Sequence, residues 1–580
     1  MMKNLPAALR RLFSPSETKR QLTLAAAVGV GTGVATGLFL RLVEIVQFWP
    51  AVGGRGRLFS LTLNWPLLLV LPAIGGLLCG AVLQFGDSTV KGTGTPEILH
   101  AIRRKGGLIG GRYTALKTLA SVFTVCSGGA AGPEAPMVTF GAGLGSWAGR
   151  KLGISAVDLH TLVAAGAAAG FAAVFNAPIA GVLFAIEVLL KEFTSGAFAI
   201  VMLATVSASV TTHLILGERV FVEVPSTYAF HNIRELGFYF ALAVLAALFA
   251  KLFVATSLAV EKRFEKGVAS PMARAALGGL ILGALALWLP QALGNGRVVI
   301  PDLIRAESSS PWAWALLIAL LFGKMVACPL TVGSGGSGGI FIPYLLMGAA
   351  LGGLVGRGVS ALVPWAAPSG AYMLVGMGAV FAGVTFAPFT AIILLFELTR
   401  DYSIVLPLMF TAGITVMVAR AIDPLSFEGH KLLKKGVRLN EHPELRVLEK
   451  YHVRDIMSRS VRAVPQDYSL RQLANFIVAG PHTGYPVVDP EGRPVGLLTP
   501  IEMQDAFGDQ SAPLRELTAR DIMRPRFPTI SPDEPIEHAI RRMHEFGTDH
   551  VLVIDPAAPA KIAGIVTQSD VLGIYRRFFE

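Results

Sequence analysis

The chain has 580 residues, of which 53% are hydrophobic and only 15% charged, against roughly 25% charged in soluble domains. That little charge cannot clothe two or more soluble domains, the apolar content excludes global disorder, and the 63 glycines follow no three-residue period. The bulk of the chain is therefore expected in a lipid bilayer. Three cysteines, Cys79, Cys126 and Cys328, lie in apolar stretches at no metal-ligand spacing, so neither a disulfide framework nor a zinc site is implied. Part of the net charge of +11 sits in Lys3, Arg10, Arg11, Lys19 and Arg20. By the positive-inside rule this reads as a retained cytoplasmic tail over residues 1–20, without a cleavage signature, and not as a nucleic-acid-binding arm.

Residues 22–46 form the first apolar run long enough to cross about 30 Å of hydrocarbon. Further runs of this kind fall at 63–83, 197–216, 236–258, 275–289, 311–327 and 404–418. Other apolar stretches are short and interrupted. Gly128-Gly129-Ala130-Ala131-Gly132-Pro133-Glu134-Ala135-Pro136 precedes one helix, and the glycine-serine run from Gly333 to Gly339, followed by Ile340-Phe341-Ile342-Pro343, precedes another. Each reads as a flexible loop and then a proline at a helix start. Glycines that merely let helices pack closely are the plain alternative. Irregular backbone at membrane depth is tolerated where protein buries it or where it lines a water-filled path, and paired breaks in two halves point to inverted repeats with a site near the midplane.

Composition changes near residue 436, after which charges, prolines and short β-like runs become regular. Val453-Arg454-Asp455-Ile456-Met457 recurs as Ala519-Arg520-Asp521-Ile522-Met523, an internal duplication. Each copy continues through a proline-containing strand, an amphipathic helix (470–478 and 536–546) and two β-like runs, giving a β-α-β-β-α order. The expected organisation is a tail (1–20), a polytopic all-α membrane domain (21–436), a linker (437–450), and two soluble mixed α/β modules (451–510 and 511–580).

Three segments carry chemistry: Gly92-Thr93-Gly94-Thr95-Pro96-Glu97, Gly132-Pro133-Glu134-Ala135-Pro136, and Gly339-Ile340-Phe341-Ile342-Pro343. Each leaves backbone N–H groups free at a helix N-terminus, where the dipole carries roughly half a positive charge. Several such ends converging hold a partly dehydrated anion without a lysine or arginine, which would bind it too tightly for release. A carboxylate at the mouth of such a site would compete with the anion, and its protonation or displacement would open the path; Glu134, taken by its place in a first turn, is a glutamate that complements its own helix dipole.

These segments resemble the three filter motifs of the CLC chloride channels and proton/chloride exchangers, usually GSGIP, GREGP and GxFxP. The stretches AAGFAAVFNAPIAGVLFAIE (168–187) and GMGAVFAGVTFAPFTAIILLFELTRD (376–401) are also similar to that family's. The resemblance covers about residues 20–436 in the required order. It implies an inverted-repeat all-helical fold, a homodimer, and one anion pathway per subunit. It places the gate on Glu134, where GREGP reads GPEAP; an earlier register over Gly129–Pro133 would leave an alanine there. Anion contacts fall on Thr93 and Gly94, Gly132 and Ala135, and Gly339, Ile340, Phe341 and Ile342, with Thr93 in place of the usual serine.

Two positions depart from the family. The pattern SIYxxKL reads Ser426-Phe427-Glu428-Gly429-His430-Lys431-Leu432, so Glu428, or Ser426 in a shifted register, stands where an aromatic hydroxyl closes the inner side; Glu428 as a solvated junction residue is equally open. The inner proton-relay glutamate of many exchangers falls on Val188, which carries no proton. Glu187 and Glu397 are expected to cap or tie helices. The altered inner residues favour a chloride channel over a proton-coupled exchanger of chloride or another halide.

The duplicated modules, over about residues 450–577, resemble a CBS-domain pair, which implies an adenine nucleotide (ATP, ADP or AMP) in the cleft. Thr567-Gln568-Ser569-Asp570 fits the T/S-x-x-D element that serves phosphate and ribose, whereas Thr499-Pro500-Ile501-Glu502 departs from it; a purely dimerising role is the alternative. A membrane-anchored nucleotide sensor or enzyme is a remoter reading. It would need a nucleophile-base set or metal ligands within the membrane, but His482, His538, His544 and His550 all lie in the soluble part. A magnesium transporter would need carboxylates, of which the apolar core has few. The expectation is a multi-pass cell-membrane protein, not an enzyme, needing no cofactor, with its N-terminus and CBS pair in the cytoplasm.

Overall fold

A computed structural model describes residues 17–47, 65–217, 232–305, 312–437, 451–478, 484–508, 517–556, 558 and 561–579. Lys3, Arg10, Arg11, His482 and nearly all of the expected linker lie outside the described residues. The chain divides into two units, Met1–Arg438 and Leu439–Glu580.

The first half of the membrane unit runs through α1 (Glu17–Gln47), α2 (Trp65–Phe85), α3 (Thr95–Arg104), α4 (Gly111–Cys126), α5 (Glu134–Lys151) and α6 (Ala156–Phe175). It ends with α7 (Pro178–Phe184), which runs into a π-helical turn (Ala185–Leu190), and α8 (Ser195–Leu216). The second half holds α9 (Leu236–Gly267), α10 (Pro271–Trp288), α11 (Val299–Arg305), α12 (Trp312–Gly333), α13 (Phe341–Leu362) and α14 (Ser369–Thr385). It closes with α15 (Pro388–Thr399), α16 (Val405–Ile422) and α17 (Phe427–Leu433). Among the described residues, nine helices are long and apolar enough to cross a membrane. α9 overshoots the expected apolar run because the helix continues past it through the charged stretch from Glu261 to Lys266.

The halves repeat one another. α5 packs on α6 and α13 packs on α14 through glycines at contact distance. A Cβ on Gly141 would stand 1.9 Å from Gly166 O, and one on Gly348 2.3 Å from Gly376 O, so any larger residue would force the pairs apart. α6 and α14 both end on a left-handed residue, Asn176 (φ 53) and Phe386 (φ 59), and a proline then opens α7 and α15.

The halves are also tied reciprocally. Glu397 on α15 accepts from Ile179 N (3.0 Å) and Ala180 N (2.7 Å) at the start of α7. Glu187, following α7, accepts from Phe389 N (3.2 Å), Thr390 N (2.8 Å) and Thr390 Oγ1 (2.7 Å) at the start of α15. Each carboxylate thus satisfies orphan N–H donors of the other half and sits at the positive end of its dipole. The expected capping role of both glutamates holds.

In the second unit the β-α-β-β-α order appears twice. The first copy has α18 (Val453–Ile456), β1 (Val464–Pro465), α19 (Leu470–Val478), β2 (Tyr485–Val488), β3 (Pro494–Leu498) and α20 (Pro500–Gly508). The second has α21 (Ala519–Ile522), β4 (Thr529–Ile530), α22 (Ile536–Phe546), β5 (His550–Ile554), β6 (Ile562–Thr567) and α23 (Gln568–Phe579). Each forms a three-stranded sheet, parallel between its first two strands and antiparallel between the last two. The cores are exchanged: Val453 and Ile456 pack with Ile530, Ile536, Val551 and Val566 of the second copy, while Ala519 and Ile522 pack with Val464, Leu473, Tyr485 and Leu498 of the first. A boundary at 510/511 therefore divides the sequence repeat but not the packing, because each core is completed by the opening turn of the other copy.

Glu397→Ala removes both N–H contacts at α7 and is expected to cost about 2 kcal/mol. The readout is a lower temperature at which the detergent-solubilised protein loses its monodisperse elution; an unchanged temperature would remove the reciprocal caps from the supports of this fold.

Candidate functional site

The three glycine-rich segments meet in one place because their backbones pair outside any regular sheet. Gly132 and Gly339 exchange two hydrogen bonds, 2.7 and 2.8 Å long, as an antiparallel bridge. Gly92 N donates to Gly336 O at 2.9 Å, and Gly338 N donates to Gly92 O at 3.2 Å. Hydroxyls satisfy much of the rest: Ala130 N donates to Thr331 Oγ1 (3.0 Å), Ser337 N to Thr124 Oγ1 (3.1 Å), and Ser337 Oγ to Val90 O (2.9 Å). This accounting lets irregular backbone persist at membrane depth.

Two fully buried lysines brace the assembly. Lys117 on α4 donates to Val90 O (2.9 Å) and Gly92 O (2.5 Å). Lys324 on α12 donates to Ala292 O (2.8 Å), Leu293 O (3.1 Å) and Gly294 O (2.6 Å). The loop that each lysine holds then bonds the glycine run of the opposite half: Gly92 N meets Gly336 O, and Gly294 N meets Gly128 O at 2.9 Å. The sequence reading missed both lysines. The available signal was a lone cation inside an otherwise apolar span, set the same number of residues ahead of Glu134 and of Phe341.

Glu134 is the first residue of α5 and is completely buried. Its carboxylate does not complement its own helix alone; it crosses to the N-terminus of α13. Oε1 accepts from Phe341 N at 2.9 Å and from Ile342 N at 3.4 Å, while Oε2 has no hydrogen-bond partner. Pro343 lacks an N–H, but the first turn of a helix has no internal use for one. The carboxylate occupies the place that two amides and a helix dipole create for an anion. Contact is close on both sides: a Cβ on Gly132 would lie 2.0 Å from Glu134 Oε2, and one on Gly339 2.5 Å from Oε1.

The other predicted contacts gather around this point. Gly94 caps α3 in a left-handed conformation (φ 79), and a Cβ there would stand 2.5 Å from Thr139 Oγ1 and 3.8 Å from Ala135 O. Thr93 and Ala135 are buried beside it in their motifs, and the Thr139 hydroxyl, unforeseen in the sequence, has no hydrogen-bond partner. Ile340 and Ile342 are buried. The Phe341 ring packs against Phe381 (5.5 Å), Phe171 and Phe184 (both 5.8 Å) and Tyr344 (6.2 Å). This aromatic cluster fixes the turn whose amides hold Glu134.

At the end of the unit, Ser426 Oγ caps α17 by accepting from Gly429 N at 3.2 Å, so its hydroxyl is committed locally. Glu428 is not solvated: it is 4% exposed, and neither carboxylate oxygen has a hydrogen-bond partner. Val188 lies half-buried on the π-helical turn beside the capping Glu187. In the second unit Thr567 N (2.9 Å) and Oγ1 (2.7 Å) both donate to Asp570 Oδ2. Thr499 N and Oγ1 contact Glu502 Oε2 in the same way, but Glu502 Oε1 is further paired with Arg524 Nε at 2.9 Å. Among the described residues no His, Cys, Asp or Glu cluster could hold a metal.

Comparison with known proteins bears on the family of both units. The profile of the family described as Voltage gated chloride channel matches residues 74–420, and that of the CBS domain matches 453–508 and 519–577. The chain is 34% identical over 406 residues to the "Putative chloride channel protein ClcB-like" of Ralstonia nicotianae, covering 69% of this chain and 94% of that one. Its fold is similar to a slow cyanobacterial Cl-/H+ antiporter, with a TM-score of 0.65 at 24% identity over 73% of this chain and 99% of the other. It is also similar to a eukaryotic CLC transporter, with a TM-score of 0.60 at 20% identity over 95% of this chain and 98% of the other.

Gly339→Ala places a methyl group where the Glu134 carboxylate now lies. Anion binding is expected to fall at least tenfold, measured by calorimetric titration of the detergent-purified protein with sodium chloride, while elution volume stays that of the parent. Unaltered affinity would place the anion elsewhere.

Proposed function

This chain belongs to the voltage-gated chloride channel family, and on that premise we propose that it passes chloride through the Gly92–Gly132–Gly339 cradle, with Glu134 as the gate. The observation that carries this reading is the Glu134 carboxylate lying on the Phe341 and Ile342 amides. A bound chloride would use the same donors, so anion and carboxylate exclude each other. Opening then requires that Glu134 be protonated or swing away. The channel reading rests on Val188, which cannot relay a proton. A proton-coupled exchanger is the second reading, favoured by the buried acid Glu428.

The same premise supports a homodimer in the cell membrane with its N-terminus and CBS pair in the cytoplasm. For that pair we propose one adenine nucleotide, held by Thr567 and Asp570. Asp570 uses only Oδ2 within its turn, leaving Oδ1 for a ribose hydroxyl, whereas both oxygens of Glu502 are occupied. Each chain therefore offers one nucleotide site.

Two measurements test these readings. In vesicles loaded with radiolabelled chloride, Glu134→Gln is expected to keep chloride flux but lose its pH and voltage dependence; preserved dependence would refute the gate. Proton movement recorded alongside separates the two transport readings, since stoichiometric uphill proton flux in the parent would overturn the channel. Titration of the full chain with ATP, ADP or AMP is expected to give one site per chain. Asp570→Ala should weaken it tenfold or more, and Glu502→Ala should leave it unchanged.

A further inference from the structure

Glu428 is a buried carboxyl that no structural role explains. It opens α17 next to Phe427, whose ring packs on Phe253 (6.3 Å) and lines a small cavity with Ile340 of the third motif, Ser257, Cys328 and Lys431. α17 packs against α3, which carries the Gly94 end of the first motif, and against α14. The helix that carries Glu428 thus meets elements of two of the three segments that build the cradle.

The surrounding charges are committed to other groups. Lys431 bonds Glu261, which Lys434 also meets at 3.3 Å. On α3, Glu97 pairs with Lys435 at 2.6 Å, and Arg104 donates to Gly436 O at 3.1 Å; His100 on the same helix makes no bond to Glu428, its Nδ1 having no partner. On α9, Lys251 donates to Asp423 O (2.8 Å) and Leu425 O (2.9 Å). α14 has no charged side chain. A second orphan points the same way: the Tyr344 hydroxyl on α13 is completely buried and unpartnered, and it lies within electrostatic reach of both Glu428 and Glu134. Unpaired buried polar groups near one another mark a place where a ligand or water belongs.

We propose that Glu428 is a second carboxylate gate on the same anion path, and that it takes up a proton when chloride occupies the adjacent site. A second negative charge nearby weakens anion binding in a protein interior, where the repulsion is poorly screened. Neither oxygen of Glu428 is bonded to a cation, and Lys431, within its electrostatic reach, is bonded to Glu261, so a proton on the carboxyl itself is what removes its charge. Binding linkage is reciprocal: chloride draws the proton in, and the proton admits chloride. The inference rests on the chloride reading of the cradle but does not depend on whether transport is passive or coupled.

The test is chloride titration of the purified full chain by calorimetry, in two buffers of different ionisation enthalpy, which counts protons taken up per chloride. Glu134→Gln is the background, since it removes the first gate. In it, uptake is expected to approach one proton per chloride above neutral pH, with chloride affinity falling as pH rises. Adding Glu428→Gln should bring uptake near zero and make the affinity independent of pH. Equal uptake with and without Glu428→Gln, or none in Glu134→Gln alone, overturns the proposal. No chloride binding in Glu134→Gln would instead overturn the chloride reading beneath it. If the glutamine variant does not fold, Glu428→Leu serves, because replacing an unbonded buried carboxyl by an apolar group of similar volume does not destabilise.

Discussion

A negative ion in hydrocarbon requires donors that can let it go again. The amides of Phe341 and Ile342 at the start of α13 are donors of that kind, and the ligand they hold in this conformation is the Glu134 carboxylate. Much of the membrane unit follows from that requirement. Amides are free only where a helix begins, so helices must begin inside the protein. The backbone before each start must then find other partners, and the Gly132–Gly339 and Gly92–Gly336 pairings supply them. Glycine is needed at Gly132 and Gly339 because a side chain there would occupy the space that the Glu134 carboxylate fills.

The two halves share this burden. Lys117 and Lys324 each grip a loop of carbonyls, and each of those loops bonds the glycine run of the opposite half. Glu187 and Glu397 cap one another's helices. The ammonium groups are thereby spent on backbone carbonyls. A full cation in contact with chloride would hold it too firmly for conduction.

The soluble unit uses exchange for another purpose. Each module takes the opening turn of the other into its core, so neither can be distorted without the other sensing it. The repeated threonine-acid turn has nevertheless diverged in use. Asp570 keeps an oxygen outside its turn, whereas Glu502 is drawn into an ion pair with Arg524. Two similar turns thus differ in which carboxylate oxygen is left outside the turn and unpaired, through one neighbouring arginine.

The amino-acid sequence by itself determined the membrane class, the broken helices, the duplicated soluble modules and the identity of the motif residues, because hydrophobic run length, glycine-proline interruption and repeats are local properties. It also singled out Glu187 and Glu397 as helix ties. Only the tertiary structure decided what each residue meets. It showed Glu134 reaching to α13 instead of resting on its own helix, Ser426 spent on a cap, and Glu428 buried without a partner where the sequence left a solvated residue equally open. It also revealed Lys117, Lys324, Thr139 and Tyr344, whose roles lie in contacts between segments far apart in the chain. Hydrogen-bond partners at that separation leave no periodic trace, since they are set by how the halves pack and not by the residues flanking each one.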